Sequence, residues 1–197
     1  MRPTLSKEYV LQSSTFDSYL ERVNKALSLT ESDNLSAAIT MIRDTIDTGN
    51  CLWISGNGGS AATASHFATD LSRCNNSSGE PVKGISLCDN SGLITAIGND
   101  FGFDLVFSRQ LSNAAVKGDL LIVISASGNS KNLLLAMEWA KNNGVKTLAL
   151  TGFDGGKAKI LADMSLHVPT SNGDYGVAED AHSMLCHFLS SQFRGLR

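Results

Sequence analysis

The chain has 197 residues, 42% of them hydrophobic, and a formal net charge of −3. That is enough apolar material for one domain with a real core, and with no run of Lys or Arg it offers nucleic acid no basic stripe. The longest apolar runs, Leu120 to Ile124 and Leu133 to Met137, fall far short of the ~20 residues that span a bilayer, and Met1 to Glu8 has no apolar signal core. The expectation is a cytoplasmic protein with neither a membrane nor a nucleic-acid partner.

Residues 8 to 48 carry apolar positions at helical spacing. Tyr19, Leu20, Val23 and Leu27 form one stripe and Leu35, Ile39, Ile42 and Ile46 a second, which predicts two helices broken near Thr30–Asp33. The pattern then changes. Short runs of strand length, Cys51 to Ile54, Gly84 to Cys88, Leu120 to Ile124, Thr147 to Leu150 and Ser165 to Val168, alternate with longer helical segments. Such alternation predicts an α/β fold with a doubly wound, five-stranded parallel sheet flanked by helices. A closing helix is expected from about Ala178 to Phe193, and Asn75 to Gly79 is the most flexible-looking loop. Residues 1–197 read as a single domain, with a helical segment over 1–48 and the α/β core over 49–197. Cys51, Cys74, Cys88 and Cys186 are scattered without C-x-x-C spacing, so they read as reduced residues, mostly in the core.

Ligands of an open parallel sheet bind where strands turn into helices, and two such turns carry unusual chemistry. The first strand ends in Ser55-Gly56-Asn57-Gly58-Gly59-Ser60. Its glycines permit positive φ and close approach of a ligand, and the helix start that follows attracts an anion. The third strand ends in Ser125-Ala126-Ser127-Gly128-Asn129-Ser130, where three hydroxyls and the amides of a helix start can hold a phosphate without a cation. One helix cap needs only one Ser. No G-x-x-x-x-G-K-[ST] is present, which excludes a P-loop. Gly56 to Ala61 does match a dinucleotide fingerprint, but the next acid after the second strand, Asp89, comes after too long a loop. A nucleotide cofactor is therefore not expected.

These two loops together resemble the sugar isomerase (SIS) fold, and more narrowly the phosphoheptose isomerases. Further matches are His66-Phe67-Ala68, Ala96 to Phe103 and Phe107-Ser108-Arg109-Gln110, so that the resemblance runs from about Thr48 to Ser190. It implies a phosphorylated sugar substrate, sedoheptulose 7-phosphate interconverting with D-glycero-D-manno-heptose 7-phosphate. It also implies a homotetramer with active sites between subunits, and substrate contacts at Asn57, Gly58, Gly59, Ser60, Asn99, Asp100, Ser125, Ser127, Ser130 and Glu179. Asn99 and Asp100 rest on the resemblance alone. A non-catalytic SIS protein that binds sugar phosphates as a regulator or scaffold is the alternative.

His66 and Asp70 are spaced i, i+4 and Glu179 and His187 i, i+8, so each pair lies on one broad helical face. The resemblance makes Asp70 the base and His187 its acid/base partner, with His66, Asp70, Glu179 and His187 as ligands for zinc, a chemically suitable donor set. Phosphoheptose isomerases carry Glu and Gln where this chain has Asp70 and Glu179, and the segment Asp174-Tyr175-Gly176-Val177-Ala178-Glu179 lacks the family's Asp-Arg. His182, i+3 from Glu179, either replaces it or is a bystander. His167, in a strand-like run, reads as structural.

Overall fold

The computed structural model describes residues 15–194; the start Met1 to Glu8 and the expected helical stretch at 8–14 lie outside them. Thr15 caps helix α1 (Phe16–Ser28), its hydroxyl accepting from the Ser18 amide, and α2 (Ser32–Asp47) follows. Ile42 and Ile46 of α2 and Val23 and Ala26 of α1 are buried, with Tyr19 and Leu27 packed beside them. Leu20, expected on the same stripe, is exposed: it lies about 100° round the helix from Tyr19, outside the narrow face an outer helix buries.

Five parallel strands follow, β1 (Cys51–Gly56), β2 (Lys83–Ser86), β3 (Leu120–Ser125), β4 (Lys146–Thr151) and β5 (Met164–His167), in the order β2-β1-β3-β4-β5. Every residue of the central β3 is buried, while the edge strands β2 and β5 are only partly so. A parallel sheet covered on both faces needs such apolar central strands. Side chains alternate across it. Leu52, Ile54, Leu120, Ile122 and Ile124 pack under α1, α2, α3 (Gly59–Ser72) and α8 (Tyr175–Ser191). Trp53, Leu121 and Val123 face α4 (Ser91–Phe101), α5 (Ser108–Ala114) and α6 (Lys131–Asn142), with α7 (Gly156–Leu161) at the end of that layer. No helix among the described residues is long and apolar enough to cross a membrane.

The order reverses between β1 and β3, so these neighbours send their connections to opposite sides and leave a crevice at their carboxyl ends. The two motif-bearing loops both open into it. The supposedly flexible loop at Asn75 to Gly79 is instead tied down. Asn76 is buried, its side-chain oxygen Oδ1 accepts from the Ser78 and Glu80 amides, and Ser77 donates to Asp47 through both its amide and its hydroxyl at 2.9 Å. Helix α8 begins three residues before the expected Ala178, because Gly176 is tolerated in its first turn and Asp174 at its cap is fixed by Arg22 at 3.2 Å. All four cysteines are free, Cys74 and Cys186 buried and Cys51 and Cys88 half-buried.

Candidate active site

The upper half of the site is a cradle built by the loops after β1 and β3. Gly58, at the start of α3, has φ +56, a conformation that side chains disfavour. A Cβ on Gly56 would strike the Ser60 backbone, and one on Gly59 would collide with the Glu179 carboxylate. In the second loop the Ser125 hydroxyl accepts from the Gly128 amide at 3.0 Å and that of Ser127 from the Asn129 amide at 3.3 Å. Each O–H therefore remains able to donate. Ser130 stands at the cap of α6 but makes no side-chain capping bond, which leaves its hydroxyl available to a ligand. Asn57, Ser60, Ser125, Ser127 and Ser130 line a cavity of about 130 Å³ together with Tyr175 and Glu179.

Two residues that the sequence reading passed over hold this cradle together. Asn132, 3% exposed, exchanges reciprocal 2.9 Å amide bonds with Asn57, and its oxygen also accepts from the Leu133 amide. It thereby bridges the two loops. Tyr175 packs edge-to-face on Phe153 at 5.0 Å and closes one wall. Behind the cradle, the Ala158 amide donates to Gly128 O at 2.9 Å and the Lys157 amide to the Asn129 side chain at 3.1 Å. The loop after β4 thus fixes the loop after β3.

The lower half lies along the groove between α3 and α8. Both helices start at the cradle, so His66, seven residues after Gly59, sits about 10 Å below it. There the imidazoles of His66 and His187 meet edge-to-face, ring centroids 4.8 Å apart and Nε2 atoms 3.5 Å apart. Asp70 Oδ2 is 3.9 Å from each of these nitrogens. Asp70 is buried whereas both histidines are about half exposed. The other oxygen of Asp70 is taken by Arg194, whose guanidinium lies 2.6 Å from Oδ1. Nothing in the sequence pattern pointed to Arg194.

Two imidazole nitrogens and a carboxylate, all within 4.8 Å of one another, form a donor set that suits a divalent ion with open positions. Glu179 does not belong to it. Eight residues on a helix rise about 12 Å, so the face shared with His187 is not a shared depth, and Glu179 ends against Gly59 at the start of α3, where the helix dipole favours a carboxylate. Cys186 lies beside the cluster, but burial pushes its thiol well above the usual range and it stays neutral. His182 is a bystander: it is wholly buried with no hydrogen-bond partner at either nitrogen, and burial lowers its pKa to about 4. His167 bonds Thr151 through Nδ1 at 3.2 Å and is lowered by burial. Asn99 and Asp100 are exposed at the end of α4, bonded to each other at 2.9 Å, and line neither half of the site in this chain.

A hydroxyl-and-amide cradle at the switch point of a parallel sheet, with an acid–base cluster in reach, defines a phosphosugar-handling α/β protein. The family model described as the SIS domain matches residues 15–152. A phosphoheptose isomerase of Campylobacter concisus is 43% identical over 82% of this chain and 87% of its own length, and one of Helicobacter pylori (strain Shi470) is 40% identical over 94% and 91%. The solved phosphoheptose isomerase of Neisseria gonorrhoeae superimposes with a TM-score of 0.81 at 31% identity, covering 90% of this chain and 94% of that one. The chain belongs to the phosphoheptose isomerases of the SIS-domain family.

Proposed function

We propose that this phosphosugar isomerase interconverts sedoheptulose 7-phosphate and D-glycero-D-manno-heptose 7-phosphate by proton transfer through an enediol. The observation that carries the reading is the pairing, on the two helices that start at the serine- and glycine-built cradle, of that cradle with an Asp70–His187 cluster farther along α3 and α8, an arrangement suited to a substrate whose phosphate and carbonyl lie at opposite ends. Ser125, Ser127, Ser130 and the amides of the two helix starts hold the phosphate. Asp70 Oδ2 removes the proton from C1 of the ketose while His187 protonates the carbonyl oxygen at C2, which gives the neutral enediol. Asp70 then returns its proton to C2 as His187 takes the one on the C1 oxygen, and the aldehyde forms.

His66, Asp70 and His187 fit a divalent ion such as zinc, which when bound would polarise the substrate oxygens as a Lewis acid. Glu179, which lines the cradle cavity beside Gly59, contacts sugar hydroxyls in this reading. The active assembly is a homotetramer in which a second copy covers the open face of the cluster; the exposed Met184 and Phe188 beside His187 and the exposure of Asn99 and Asp100 outside the cavity of their own cradle support this. Four free thiols suit a reducing cytoplasm. The test is conversion of sedoheptulose 7-phosphate by the purified protein, followed by chromatography of the aldose. Turnover that is absent, or that survives both Asp70→Asn and His187→Ala, would overturn the assignment.

A further inference from the structure

Asp70 is shorter than the Glu of the related enzymes, and its terminal torsion is a broad, two-fold one. Without a second contact its carboxylate would not be held at one angle. Arg194 supplies that contact. Its guanidinium meets Oδ1 at 2.6 Å while Oδ2 lies 3.9 Å from the Nε2 of both His66 and His187, with the Ser190 hydroxyl at 3.5 Å. The two oxygens of one buried carboxylate are thus divided, one turned to a cation and the other to the histidine pair. Nor is Arg194 a dangling tail. The residue before it, Phe193, is wholly buried in the core, its amide donates to Ser190 O at 3.1 Å, and Arg43 covers its ring at 5.2 Å.

We propose that Arg194 is a positioning residue of this isomerase: by holding Oδ1 it keeps Oδ2 of Asp70 facing His66 and His187, where it serves both proton transfer and ligation of a divalent ion. The inference rests on the proposed function of the same cluster. A charge-assisted bond fixes a carboxylate more firmly than a neutral one, and partners that orient ligating groups typically control metal affinity by about 10- to 100-fold.

The experiment compares wild type, Arg194→Gln and Arg194→Lys, using Co²⁺ as the ion and its visible absorption as the readout, alongside kcat and KM for sedoheptulose 7-phosphate. Arg194→Gln is expected to bind Co²⁺ about 10- to 100-fold more weakly and to lose kcat with little change in KM, because the cradle is untouched. Arg194→Lys should recover part of both, and unchanged circular dichroism would show that the fold survives. Equal or tighter Co²⁺ binding by Arg194→Gln, or no Co²⁺ signal from wild type, overturns the proposal; tighter binding would make Arg194 a competitor for the carboxylate. Wild-type turnover with Co²⁺ affinity unaltered in Arg194→Gln sinks this inference alone. Absence of wild-type turnover sinks the isomerase reading, and the Co²⁺ comparison then decides the role of Arg194.

Discussion

In the cradle, the groups proposed to meet a phosphate come from two short loops whose shape is set by glycine conformations and by hydroxyl–amide bonds within three residues. In the cluster two helical turns below, the meeting groups are side chains 121 positions apart in the chain, brought together only because α3 and α8 pack. The first arrangement is local and spreads its contacts over several hydroxyls and amides, so loss of one hydroxyl weakens binding without abolishing it. The second concentrates its chemistry in a few side chain atoms, so a single substitution removes a role outright. Binding and chemistry should therefore respond separately to mutation.

The sharpest separation is expected at Asp70. Asp70→Asn keeps the size of the side chain but not the base, and kcat should fall by about 10²–10⁴-fold with KM nearly unchanged. Steady-state kinetics check this, and a comparable rise in KM would mean that cradle and cluster are not separable.

The next largest effect is on stability in acid. His182 lies on α8 between Glu179 and His187, with its pKa lowered from 6.5 to about 4 by burial. The unfolded chain takes up a proton below pH 6.5 that the folded chain refuses, so stability is full above that pH and declines as pH falls towards 4. The loss over this window is about 3 kcal/mol. Thermal melts at stepped pH should show it, and His182→Leu should flatten that limb. A slope unchanged in the variant would assign the acid sensitivity elsewhere.

Ser130→Ala probes the other side of the comparison. One hydrogen bond to a charged group contributes about 1.5–3 kcal/mol, so KM for the sugar phosphate should rise by about 10- to 100-fold while kcat holds. A fall in kcat alone would mean that the phosphate is not held there. The smallest effect is expected from Tyr19→Phe, which removes the 2.6 Å bond from the Tyr19 hydroxyl to Asp180 that tethers α1 to α8. The same bond pushes the tyrosine pKa up to about 12. About 1 kcal/mol of stability should be lost, with any change in activity appearing in kcat, since α8 carries His187.

Much of this was legible in the residues themselves. The two glycine- and serine-rich loops were readable as strand-to-helix turns because glycine and serine requirements are local, and the strands because a fully covered sheet leaves continuous apolar runs such as Leu120 to Ile124. The i, i+4 pair His66 and Asp70 was readable for the same reason. Glu179 was misread as a ligand because angular position on a helix was taken for proximity, although an eight-residue separation already implies about 12 Å of rise. Asn76 turned a polar loop into an anchored one through bonds to its own neighbours, and composition does not record such bonds.

What the sequence determined alone is therefore the α/β class, the two strand-to-helix loops that form the cradle and the residue types available for acid–base work. Each depends on interactions a few residues long, or on the burial pattern of a single strand. The tertiary structure alone decided that His66 and Asp70 meet His187, that Asn132 clasps Asn57, that Glu179 stays with the cradle and that Arg194 closes on Asp70. These contacts join segments from separate parts of the chain, and the packing of α3, α6 and α8 on the sheet sets their distances.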